Sequence, residues 1–369
     1  MELNNQNTPA AEETPVVDAT RQKWSKIEIL GLIILIAAAV SLVVNPDMLS
    51  GVFNSIVAQA FTVSVQTFIM SDLGIAIVAS VIVGRFLERL GLTDAMIRVF
   101  LPVMKWMKIN PSVIVPSVYN ILGDINASGA VAGPILVKAK ATKDEQKLAV
   151  ATMIQNPQSF ATIVLGIVAL RDFNIQPLPN IILSIFLPLL VVPFLLSCTV
   201  YRDTKAVTLS ELPRFTPNKS IMNTLFDASA EGVHLWLLVI VPAVTVVFCV
   251  IGVLEYIGIW APIQKGLGAV LNVLSIEPET GLFSFLVSPT LAMAQITGIS
   301  GIDARLVVGG FVLANSGLPL SVILGQVPAT WKACTDLSDT EALKAGLLGT
   351  VIRVVTAALI AYLVTPLCI

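Results

Sequence analysis

Residues 109–140 read INPSVIVPSVYNILGDINASGAVAGPILVKAK, and the reading of this stretch decides the fold. It is apolar enough to enter a bilayer, yet Asn120, Gly123, Asp124, Asn126, Ser128, Gly129, Gly133 and Pro134 interrupt it. Pro111 to Ile121 supplies about ten helical residues, roughly 15 Å at 1.5 Å per residue, against a hydrocarbon core of about 30 Å. One continuous crossing does not fit that length. A hairpin of two half-helices with a polar turn at 123–126 does. Backbone that leaves helix at membrane depth needs protein or a watery cavity to satisfy it. Discontinuous helices of this kind are the usual pointer to a transport site.

The rest of the chain is built to the same solvent. Of 369 residues, 56% are hydrophobic and 12% charged, and the net charge is −2. A soluble domain carries about 25% charged residues, twice this share. Four scattered cysteines, without CxxC spacing, give neither a disulfide framework nor a zinc site, and His234 is the one histidine. HExxH, GxSxG, GxxxxGK[ST] and paired intramembrane aspartates are all missing, so the chain reads as no enzyme. The expected class is an all-α polytopic membrane protein with no nucleic-acid role.

Outward from the hairpin, residues 1–22 form a polar, disordered tail and 23–46 an N-terminal transmembrane helix. Within 47–202, segment 51–70 lies along the interface, 72–90 spans, and 93–108 is an amphipathic helix before the hairpin. A span at 148–170 follows, broken at Asn156-Pro157, because proline removes a backbone donor. The next span covers 180–200, and 203–220 is a cytoplasmic linker. Residues 221–369 repeat the plan. An interfacial 221–232 leads to a span at 234–255 and an amphipathic helix at 259–274. A second hairpin at 278–301 turns near Ser288-Pro289-Thr290. A span at 302–327 is broken at Asn315–Pro319, and 341–363 is the last span.

The copies also match residue by residue. Leu87–Leu92 aligns with Leu254–Ile259, and Ile109-Asn110-Pro111 with Ile276-Glu277-Pro278, both 167 residues apart. Asn156 aligns with Asn315, and Val164-Leu165-Gly166 with Ile323-Leu324-Gly325, both 159 apart. Three crossings per copy is an odd number, so the second copy is expected upside down relative to the first. Charge agrees. With the N-terminus inside, three Lys/Arg lie in the tail, nine around the first hairpin, four in the linker and two in the 328–344 loop, eighteen of 22.

This order of span, amphipathic helix, re-entrant hairpin and Asn-broken span, duplicated in inverted form, resembles the Gate or nucleoside recognition domain membrane proteins. Among these are the spore maturation A and B type proteins. The architecture is also similar to concentrative nucleoside transporters and to the gates of ferrous-iron permeases. Asn110-Pro111, Gly123-Asp124-Ile125-Asn126, Ala132-Gly133-Pro134, Gln155-Asn156-Pro157 and Asn315-Ser316-Gly317 carry the likeness, over roughly residues 50–366. The hairpin glutamates with which nucleoside transporters hold ribose and base are missing. The resemblance implies a multi-pass protein of a bacterial inner membrane, N-terminus cytoplasmic, with a midplane site.

Polar side chains at the interruptions are the candidate site. Asp124, read as the one carboxylate in either hairpin, is a sodium ligand, a proton acceptor or the cap of the following half-helix. Gln155, Asn156, Gln158 and Ser159 at the first break, and Asn315 and Ser316 at the second, suit an ion or a polar substrate. Asn120 and Asn126 in the first hairpin, with Thr290 and Gln295 in the second, join them. Arg353, deep in the last span, is expected to meet an anionic substrate group or Asp124, or else to reach the interface. His234 is assigned a structural role. No cofactor or resident metal is expected beyond Na⁺, near Asp124 and Asn156, or H⁺ as coupling ion. The function expected is ion-coupled symport of a small polar or anionic, nucleoside-like metabolite by alternating access. The alternative is a membrane scaffold or assembly factor with a Gate fold. The bilayer is the obligatory partner, and a homo-oligomer is compatible with the sequence.

Overall fold

The computed structural model describes residues 24–70, 72–122, 125–157, 159–207, 214–296, 301–315 and 319–368. Among them all regular structure is helical, with no strand. By contacts the chain divides into residues 1–54 and 55–369. In the first unit, α1 (Lys26–Val44) starts at a capping box, Ser25 with Glu28, and none of its residues is buried in protein. At 19 residues it matches the roughly 30 Å hydrocarbon thickness.

Helix α2 (Pro46–Phe61) leads into a π-helical segment, Thr62–Ile69, and then α3 (Leu73–Arg89). Gly91, at φ 84, turns the chain into α4 (Leu92–Trp106), the amphipathic helix. The first hairpin then begins as Asn110 Oδ1 accepts from the Ser112 N–H at 3.0 Å. A short 3₁₀ turn, Pro111–Ile114, continues as α5 (Val115–Leu122), and α6 (Ile125–Lys138) returns. Thr142 and Glu145 box the start of α7 (Lys143–Met153), which stops before Asn156-Pro157, and α8 (Phe160–Asp172) resumes. Helix α9 (Pro177–Ile181), a π segment Ile182–Phe186 and α10 (Pro188–Thr199) make one span of 23 residues.

In the second half, α11 (Ile221–His234), a π segment Leu235–Ile240 and α12 (Val241–Tyr256) form one helix of 36 residues. The expected division between an interfacial 221–232 and a separate span is corrected here. Proline at 242 does not break the helix, because the ladder shifts to the wider π register just before it. The same happens before Pro188 and Pro328, each π segment ending two residues ahead of the proline. Next come α13 (Trp260–Val273), the second hairpin of α14 (Pro278–Leu286) and α15 (Pro289–Ile296), and α16 (Ala304–Ala314). A π segment, Val322–Gln326, leads into α17 (Val327–Cys334), and α18 (Asp339–Leu363) and α19 (Thr365–Cys368) close the chain.

The backbone repeats where the sequence does. Gly91 and Gly258 have φ 84 and 75, and Lys108 and Ser275 have φ 59 and 58, each pair 167 residues apart. Lys108 and Ser275 hold a left-handed conformation that residues with a Cβ adopt rarely. The hairpin caps Asn110 and Glu277 share φ −57 with ψ 122 and 123. Packing is reciprocal. Helix α6 lies on α17 while α15 lies on α8, and α3 lies on α11 while the 62–69 segment lies on α12. A two-fold relation between copies produces that exchange. Among the described residues five helices are long and apolar enough to cross a membrane, and the chain is an all-α polytopic membrane protein.

Candidate functional site

The two hairpin tips and the two helix breaks meet at one cavity of ≈ 360 Å³. Leu122 comes from the first hairpin, and Val287, Ser288 and Thr290 from the second. Ser159 and Phe160 come from the first break, and Pro319, Ser321, Val322 and Gln326 from the second. The remaining wall is α3, with Val81 and Arg85, and the long 221–256 helix, with Glu231, His234, Leu235, Val239 and Ile240 among others. Short half-helices put this together. A helix that stops halfway leaves its end, and the polar side chain beside it, at the level where the opposite copy's end also stops.

Hydroxyls tie the copies across the cavity wall. Thr162 Oγ1, on α8, lies 3.0 Å from Thr290 Oγ1, on α15, and 3.4 Å from Ser159 Oγ. At the α3–α11 crossing, Arg85 donates to Glu231 twice, Nε to Oε2 at 2.9 Å and Nη2 to Oε1 at 2.6 Å. Its Nη1 donates to Glu88 Oε2 at 2.8 Å. This fork is the strong form of the guanidinium–carboxylate contact. Among the described residues of the wall, Arg85 and Glu231 are the formal charges, and they neutralise each other.

Of the residues expected from sequence, Ser159 and Thr290 line the cavity. Gln155 is fully buried, with Nε2 donating to the carbonyls of Ala151 at 3.0 Å and Gly349 at 2.9 Å. Asn315 Nδ2 donates to the Phe311 carbonyl at 3.2 Å. Among the described residues, the Oε1 of Gln155, the Oδ1 of Asn315 and both polar atoms of Asn120 and of Asn156 are buried without a partner. Asn120, Gln155, Asn156 and Asn315 are not part of the described wall of the cavity. An unpaired buried polar group costs about 1–3 kcal/mol. Such atoms gather at the hairpin and break of the first copy. Asp124, Gln158 and Ser316, with the side chains of Asn126 and Gln295, lie outside the described residues.

Arg353 is 1% exposed, and its described partners are backbone carbonyls rather than a carboxylate. Nη1 donates to Ser184 O at 2.9 Å and Nη2 to Val312 O. Ser184 sits in a π segment and Val312 in the last turn of α16, beside the break of that span. A cation there also meets the negative end of the half-helix dipole. The reading of Asp124 as the one hairpin carboxylate is corrected too: Glu279 lies in the first turn of α14.

Sequence reasoning missed Arg85, Glu231 and Gln326 and gave His234 a structural role, although all four face the cavity. One signal was there to find. Arg85 and Glu231 have opposite charge and both sit inside apolar helical runs, where an ionisable residue needs a partner.

No protein-family model matches the sequence, and no curated protein does. Among solved structures the chain matches "Structure of CNTnw in an inward-facing substrate-bound state" with TM-score 0.57 and 13% identity. The match covers 93% of this chain and 88% of that one. At that identity the likeness is one of fold.

Proposed function

We propose that the chain is a secondary transporter that carries a small, polar, nucleoside-like metabolite of no net charge by alternating access. The observation that carries this reading is the convergence of both hairpin tips and both helix breaks on one cavity. The described wall offers hydroxyls from Ser159, Ser288, Thr290 and Ser321, an amide from Gln326 and an imidazole from His234, against Val, Leu and Phe surface. That mixture suits a flat, partly apolar molecule with several hydrogen-bonding groups. With Arg85 and Glu231 bound to each other, the described wall holds no free charge for an anionic substrate. The fold shared with CNTnw, a concentrative nucleoside transporter, supports the same reading.

Coupling to Na⁺ or H⁺ belongs to the proposal. The unpaired oxygens of Asn120 and Asn156 are the described groups that a hard cation would satisfy. On this reading the N-terminus faces the cytoplasm of a bacterial cell, the side on which Lys and Arg gather. The test is uptake of labelled uridine and adenosine by proteoliposomes under imposed Na⁺ or proton gradients. Thr290→Val and Ser159→Ala are expected to lower uptake about tenfold or more, the worth of one or two lost hydrogen bonds to substrate. Asn156→Ala is expected to remove the ion dependence. Uptake that is unchanged in all three folded variants would overturn the transport reading and favour a scaffold.

A further inference from the structure

Glu279 is a carboxylate without a partner. Its neighbours are accounted for. Glu277 caps α14, accepting from the N–H groups of Glu279 at 3.0 Å and Thr280 at 2.6 Å, and from Thr280 Oγ1 at 2.6 Å. Glu255 accepts from the Gln59 amide. Among the described residues no cation and no donor reaches the Glu279 carboxylate, and the charge acting on it is that of Glu277, of the same sign. Glu279 is exposed at the start of its helix, so its charge is solvated and stays available to a cation.

A cavity lies beside it. Glu279 lines a second cavity of ≈ 120 Å³ with Trp260 from α13, Phe248 from α12, Phe283 from α14 and the amides Gln59 and Gln264. Phe248 and Phe283 stack with centroids 5.6 Å apart at 25°. Aromatic faces attract cations, and soft organic ammonium groups above all, while a carboxylate supplies the counter-charge. A hard inorganic ion asks instead for a cage of oxygens, and among the described residues no three His, Cys, Asp or Glu side chains gather to hold a metal. Val287 lines this cavity and the larger one alike, so the two are neighbours along the second hairpin.

We propose that this cavity binds a small organic ammonium ion, its head seated between the Trp260 ring and the Glu279 carboxylate. Binding here is independent of transport and is read directly. Titrating the purified full chain with tetramethylammonium chloride, against NaCl at equal ionic strength, by calorimetry and thermal melting is the experiment. Saturable binding is expected, weakened by about tenfold or more in Glu279→Gln and Trp260→Leu and nearly kept in Trp260→Phe, as a cation–π contact requires. Melting without ligand reports folding, and should Glu279→Gln not fold, the contrast between Trp260→Leu and Trp260→Phe decides. The proposal is overturned by an absence of saturable binding, by equal binding to Glu279→Gln, or by NaCl competing as well as the ammonium salt.

Discussion

Arg85 shows how one side chain reconciles a charge with a membrane. It lends all three nitrogens to Glu231 and Glu88, so two carboxylates and one guanidinium share a single crossing. Arg85→Gln strands both acids. The expected loss is about 1–3 kcal/mol of thermal stability, below the buried-pair figure because Glu231 is partly exposed. Arg85→Gln with Glu88→Gln is expected to recover much of it, because Glu88 is the buried acid and Glu231 stays solvated, and melting of the single and double variants checks this. Arg353 is a different case. Lysine keeps the charge but cannot span two carbonyls from one planar fork. Arg353→Lys is therefore expected to lower the melting temperature by several degrees, with substrate affinity within about threefold of the parent. A large affinity loss at unchanged melting would make Arg353 a ligand after all. Ser159 and Thr290 were readable because each sits within two residues of a proline at an interruption. The charges of Arg85 and Glu231 were readable singly, but their pairing was not, since the two are 146 residues apart.

At the scale of elements, the linker is held by local chemistry. Burial pushes the Asp94 carboxyl up, but hydrogen bonds from the Phe215 and Thr216 N–H groups and the Thr216 hydroxyl, with Arg98 nearby, outweigh it. The group is held below the usual carboxylate range. A lowered folded value means docking of the linker on α4 is at full strength above the ordinary Asp range and fades as pH falls through the lowered value. Limited proteolysis of the linker is expected to speed up on acidification, and Asp94→Asn to cleave faster at neutral pH with little further change. Close packing gives a second expectation. A Cβ on Gly309 of α16 would overlap the Ser275 carbonyl at the left-handed corner before the second hairpin. Gly309→Ala is expected to cost about 1–3 kcal/mol, read as a drop in melting temperature. The breaks and hairpins were legible because prolines and glycines interrupt apolar runs too short to span. The continuity of 221–256 was not, because a π shift around Pro242 leaves no mark in composition.

For the whole molecule, the duplication was legible from four short matches at two offsets, and the left-handed pairs Gly91/Gly258 and Lys108/Ser275 carry it into the backbone. The cavity was legible as a place, though its wall takes Glu231 from 221–232, a segment that the sequence assigned to the edge of the membrane. The expected inversion of the copies has a direct measurement. Single cysteines at exposed Lys140 and Lys265, in a background without the native four, should be labelled from opposite sides of sealed vesicles. Labelling from one side would end the inverted arrangement.

Because α6 rests on α17 and α15 on α8, each hairpin is fastened to its sister's half-helix as well as to its own, α5 on α7 and α14 on α16. A rocking step in such a frame moves a limb from each half together. If the halves trade conformations, the entrance on one face closes as its counterpart on the other face opens, and a single set of contacts serves both ends of the cycle.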